Sequence, residues 1–255
     1  MYLDHERDHY GRLAALDQNA FRSLVVFLAV PVAITVAITL WVQFTELVFP
    51  HPAQAQTWNI AVVAPILALG AVGAWLSVHS HMTPDPLARR YLLPGLVASL
   101  VAGVLVGSAT LFLDQHFGFS AFAARKLGVS TLAMSFPISV PINVGGAIVL
   151  ECLFRLIPLS VIYWLIGRVV LHGRHEHVVF WSIAAITALL EPLGNLPGIA
   201  GGQPMLWAVI AVIYGANLVE AALFRRYGWP APIMARIAMF GAWHVLGGIL
   251  IAAAR

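Results

Sequence analysis

The apolar residues of this chain gather into seven long runs, at about 23–46, 58–79, 92–113, 143–171, 177–193, 203–225 and 230–252. Most reach the roughly 20 residues that a helix needs to cross a bilayer. The pattern predicts an all-α fold, a polytopic transmembrane helix bundle of about seven spans. Residues 117–142 can raise the count to eight as a re-entrant or interfacial element. That stretch reads FGFSAFAARKLGVS and then FPISVP, whose two prolines do not suit one continuous helix. The fourth run is long and carries Pro158, which predicts a kink. The fifth ends in EPLGNLPG (191–198), where proline and glycine stop the helix. No heptad run, repeat or second domain is visible. Residues 1–22 read as a short cytoplasmic arm, and 23–255 as one transmembrane domain.

The interruptions carry the orientation. Arg7, Arg12 and Arg22 precede the first run, Arg89 and Arg90 follow the second, and Arg168 and Arg174 flank the end of the fourth. Arg225 and Arg226 end the sixth. The intervening loops at 47–57 and 194–202 hold no basic residue, while 114–142 holds Arg125 and Lys126. This alternation predicts a cytoplasmic N-terminus and an outer C-terminus.

Composition agrees with the pattern. Hydrophobic residues make up 60% of the 255 residues and charged ones 10%, against about 25% charge in soluble domains. Mean hydropathy is +0.87. The chain is therefore expected to be integral to a membrane, with the lipid bilayer as its first partner. The net charge of +3 is accounted for by loop arginines, and no basic tract predicts nucleic-acid binding. The single cysteine, Cys152, rules out an internal disulfide. Lys126, the one lysine, falls at a segment end, which argues against a Schiff base within the bundle. The polar start of the chain is unlike a signal peptide. His5 and His9 lie four residues apart there, as on a solvated helix face.

Charged residues inside the runs are the candidate chemistry, because each costs roughly 2.5–3.5 kcal/mol or more at membrane depth. They are Glu151, Arg155, Glu220 and Arg236, with His244 in the last run and Glu191 at the end of the fifth. Glu151 and Arg155 are four residues apart and can neutralise each other. Helical rise puts Glu151 and His244 about 12 Å below the outer surface, with Arg155 and Arg236 deeper. Glu220 and Arg236 fall at similar depth on adjacent antiparallel helices, which suits an ion pair. A carboxylate in such a cavity can act as general base toward water, and a guanidinium can stabilise an oxyanion. Glu151, Arg155, Glu191 and His244 are the candidate catalytic residues, and Arg236 and Glu220 their supporting pair. The plain structural alternative is a set of buried ion pairs that fix helix contacts. Glu151, Glu191 and His244 also form a conceivable metal set, but no span holds HExxH or a close histidine pair, so no metal is expected. No GxGxxG, P-loop or GxSxG motif occurs, and no cofactor is expected.

Three stretches carry a resemblance. LECLFRL (150–156), TALLEPLGNLPG (187–198) and RRYGWPAPIMARIAMFGAWH (225–244) resemble, in order and spacing, the motifs of the CPBP family. These are the CAAX-protease and bacteriocin-processing intramembrane proteins. Glu151, Phe154 and Arg155 match its first motif, with Leu150 in place of the leading glutamate. Thr187 and Glu191 stand at the phenylalanine and histidine of the second. In the third, Arg236 stands at the histidine and Phe240 at the asparagine, and His244 follows two turns later. The resemblance covers about residues 140–250. It implies a bacterial inner-membrane glutamate-dependent peptidase acting on membrane-associated peptides or proteins. With both motif histidines replaced, the alternative is a catalytically degenerate module that binds or stabilises a membrane partner. A transporter is a third reading, since buried Glu and Arg also mark transport pathways; the absent repeat weighs against it.

Overall fold

The computed structural model describes residues 17–195, apart from 46, 48, 51, 127, 130, 132 and 133, and residues 204–253. The His5/His9 spacing and the end of the EPLGNLPG stretch lie outside the described residues. Nine helices are described: α1 (Asp17–Phe44), α2 (Pro52–Thr57), α3 (Ile60–His79), α4 (Arg89–Phe117), α5 (Phe119–Lys126), α6 (Ser139–Val170), α7 (Glu176–Gly194), α8 (Pro204–Tyr227) and α9 (Pro230–Leu250). No strand occurs among the described residues. Six helices, α1, α3, α4, α6, α7 and α9, are long and apolar enough to cross a membrane. The 24-residue α8 packs among them and carries Glu220.

Several boundaries differ from the sequence reading for physical reasons. Helix α1 begins by Asp17, inside the stretch read as an arm, and Asp17 meets His79 at 3.1 Å. Segment 117–142 holds the short helix α5, which starts after Gly118 takes a left-handed φ of 68° and ends α4. In α6, π-helical turns at Cys152–Leu156 and Trp164–Val170 lie on both sides of Pro158. The helix is therefore loosened on either side of the proline expected to kink it. A third π turn, Leu28–Val32, encloses Pro31 in α1, which lacks the N–H to continue the α ladder. A fourth occupies Gly241–Val245 of α9.

Small residues set the helix spacing, as expected where lipid tails compete equally for apolar surface. A Cβ on Gly73 of α3 would lie 2.1 Å from the Leu156 carbonyl oxygen, at the π turn of α6. A Cβ on Gly103 of α4 would lie 2.2 Å from the Ala235 carbonyl oxygen of α9. Around the first contact lies the main core, including Phe27, Leu67, Leu159, Tyr163, Phe180 and Phe224.

The α3–α4, α6–α7 and α8–α9 turns share one end of the bundle. Arg168 Nε donates to the Ser80 carbonyl, and Arg225 Nη1 to the Met82 carbonyl at 3.1 Å. Arg225 also stacks over the Phe180 ring at 4.8 Å. At the same end, Trp229 Nε1 donates to Ser23 Oγ at 2.8 Å, which ties the start of α9 to α1. Gly228, at φ 83°, lets the chain reverse between α8 and α9. That reversal brings Glu220 and Arg236 alongside each other.

Candidate functional site

Five charged side chains from four helices meet in the interior. Glu151 and Arg155 come from α6, Glu191 from α7, Glu220 from α8 and Arg236 from α9. Arg155 Nη1 donates to Glu151 Oε2, within one helix. Arg236 Nε donates to the other Glu151 oxygen at 2.5 Å. Arg236 Nη1 reaches both Glu191 oxygens, at 2.9 and 3.0 Å. Its Nη2 donates to Glu220 Oε2 at 2.7 Å and to Asn217 Oδ1 at 2.9 Å. Arg155 Nη2 lies 3.1 Å from the same Glu220 oxygen and donates to the Asn217 carbonyl at 3.0 Å.

Burial grades across the cluster. Glu151 is wholly buried, and Arg155, Glu220 and Arg236 expose 3% or less. The Glu191 side chain exposes 13%. Buried charges hold only when paired and hydrogen-bonded, and here planar guanidiniums supply forked donors to facing carboxylates. The cluster joins the helices on which its members sit.

Asn217 is the member that the sequence reading passed over. Its Oδ1 accepts from Arg236 and, at 3.2 Å, from Arg155, while its Nδ2 donates to the Ala188 carbonyl at 3.3 Å. It thereby bridges the two guanidiniums and anchors α8 to α7. The available signal was an amide three residues before Glu220, on the same helical face of an apolar run.

A cavity of about 200 Å³ adjoins the cluster, between α4, α5, α7, α8 and α9. Glu191, Arg236 and His244 line it, with Phe119, Phe240 and Trp243. Glu151 and Arg155 are not among its lining residues. His244 reaches the cavity through the π turn of α9. Residues eight apart on an unbroken α-helix sit about 80° apart around the axis. One π turn takes up an extra residue and returns His244 to the face of Arg236. His244 stacks on Trp243 at 4.2 Å and meets Phe240 edge-on at 5.2 Å. Its imidazole has no hydrogen-bond partner among the described residues. Trp243 Nε1 donates to Asp114 Oδ2 at 3.1 Å, and Asp114 also accepts from the Ser120 amide at 2.7 Å. This fixes the α4–α5 corner over the cavity.

The sequence candidates thus fall into three sets. Glu151, Arg155 and Glu220 belong to the closed interior. Glu191 and Arg236 connect that interior to the cavity, and His244 belongs to the cavity alone. The positions singled out in the three motif stretches, Glu151, Arg155, Glu191 and Arg236, form one connected set. Leu150, beside Glu151, packs against the apolar cluster of Ala147, Ala216, Met239 and Phe240. No group of three or more His, Cys, Asp or Glu among the described residues could hold a metal ion. In comparisons with known proteins, no family model, no curated protein and no solved structure matches this chain.

Proposed function

We propose that this is a seven-span integral membrane protein with a cytoplasmic N-terminus. It is a CPBP-like module that binds a membrane partner rather than cleaving one. The observation that carries this reading is the state of Glu151. Both its oxygens accept from guanidiniums, its side chain is wholly buried, and it does not line the cavity. A general base needs to stand within hydrogen-bond reach of the water it activates. The glutamate position before it is filled by Leu150. An Arg236–Glu191 ion pair stands where the resemblance expects two histidines, and such a pair fixes helices but does not activate water. The seven-span count takes α8 as the remaining span. The orientation rests on the arginine-rich turns gathered at one end.

The test is cleavage. The purified protein, reconstituted in liposomes, is incubated with membrane-anchored peptides of varied sequence, and products are read by mass spectrometry. No product above that of the Glu191→Gln variant is expected. A second reading, an intramembrane hydrolase, is favoured by the shared cavity of Glu191 and His244. There Glu191 would take a proton from water as the hydroxide adds to the peptide carbonyl, and would return it to the leaving amine. Products that vanish in both Glu191→Gln and His244→Ala would overturn the first reading in favour of the second.

A further inference from the structure

We infer that the cavity beside the ion cluster is a binding site for an organic ammonium group on a small apolar body. The inference rests on the binding reading above and names the chemistry of its ligand.

Three observations carry it. First, the cavity is of ligand size: its volume of about 200 Å³ exceeds the about 150 Å³ of an apolar cavity that holds benzene. Second, its walls are aromatic, with Phe119, Phe240 and Trp243 lining it and the His244 ring stacked on Trp243. Aromatic faces attract cations, and most strongly when the ammonium is shielded from water. Third, the charged groups at its inner end favour a cation over an anion. Arg236 directs Nε to Glu151 and Nη2 to Glu220 and Asn217, with Nη1 on Glu191. All three nitrogens are engaged by acceptors, so Arg236 presents no spare fork to an anion. With Arg155 on Glu151 and Glu220, the cluster sets three carboxylates against two guanidiniums. Glu191 is the most exposed carboxylate of the cluster and the one that lines the cavity.

A cation entering the cavity would meet the Glu191 carboxylate and the aromatic residues Phe119, Phe240 and Trp243. The His244 imidazole, with no hydrogen-bond partner among the described residues, adds an acceptor for a primary or secondary ammonium. A neutral molecule would gain only the apolar walls, and an anion would face Glu191.

Calorimetric titration of the detergent-solubilised protein tests the inference with three probes of similar shape. They are phenyltrimethylammonium, its neutral carbon isostere tert-butylbenzene, and the anion benzoate. The expected order is phenyltrimethylammonium at least tenfold tighter than tert-butylbenzene, with benzoate weakest. Glu191→Gln is expected to remove that tenfold preference and leave tert-butylbenzene affinity unchanged. Because Glu191 also anchors Arg236, Phe119→Leu serves as a second variant outside the ion cluster. It is expected to weaken the cation several-fold with little effect on the neutral probe. Equal affinity for cation and isostere, tighter binding of benzoate, or no binding would each overturn the inference. Peptide cleavage accompanied by ammonium preference would remove the non-catalytic reading but keep this one. Absent cleavage with absent preference would do the reverse.

Discussion

Arg236 gives hydrogen bonds from all three guanidinium nitrogens, to three carboxylates and one amide. Arg236→Met would leave the buried Glu151 and Glu220 with Arg155 as their one guanidinium. Removing one partner of a buried charge set costs about 3–5 kcal/mol. Unfolding titrations in mixed micelles are expected to show a loss of that size, and a loss under about 1 kcal/mol would mean that the cluster is solvated. Glu151→Gln is expected to destabilise for a related reason. An amide directs two donors at groups that are themselves donors, so the insertion and folding that a catalytic role would leave intact should suffer. His81 provides a pH-sensitive contrast at the basic end, in the turn between α3 and α4. Burial, and then the Arg168 charge, hold its pKa below the usual histidine range. The unfolded chain therefore binds a proton more readily than the folded one below about pH 6.5. Stability should fall as pH drops through that value and be unaffected above it. His81→Asn, which suits the residue's φ of 56°, should lose less Tm than wild type between pH 7.5 and 5.5. Charged members of the cluster stand out in the sequence because they interrupt apolar runs. Asn217 does not, since a neutral amide is a weak signal in a span. Depth counting also set Arg236 below Glu151, whereas the two touch. Counting assumes straight, upright helices of uniform rise, and π turns and tilt break that assumption.

Helix α9 lies against α4 through Gly103, where a side chain has no room. Gly103→Ala should force the two backbones apart and destabilise by about 1–3 kcal/mol, as overpacking does. It should also displace Arg236, which neighbours the contacted Ala235. Gly146 of α6 is the control, because a Cβ there would meet nothing within 4 Å. Gly146→Ala should be neutral or stabilise by up to about 1 kcal/mol. Thermal unfolding of the pair in one detergent checks both, and equal effects would contradict the packing account. At this scale the apolar runs announce most helices to within a few residues. The π turns are invisible in the sequence, because backbone register depends on what packs against the helix. Gly73 seated on the Leu156 carbonyl is one such contact, and the face that His244 presents follows from another turn of this kind. Segment 117–142 was legible as a proline-broken stretch that could hold a re-entrant or interfacial element, but α5 is too short to leave an apolar period that would place it.

Across the whole molecule, the orientation proposed above predicts a labelling pattern. Cysteines introduced singly at Arg90 and Arg174 should react with a membrane-impermeant maleimide only from the cytoplasmic side. Those at Gln56 and Arg125 should react only from the outer side. All four positions are exposed, and native Cys152 is wholly buried. Labelling of one pair from both sides would break the assigned orientation. The order in which the charges are synthesised adds a consequence for biogenesis. Glu151 and Arg155 leave the ribosome on one helix, each already beside its own counter-ion. Glu220 and Arg236 follow as a hairpin that is likewise self-neutralising. Each unit enters the bilayer without a naked charge, and the lattice closes when two neutral pieces dock and exchange partners. Only Glu191 is laid down with no cation on its own helix, and it sits near the end of its helix, where the wait for Arg236 costs least.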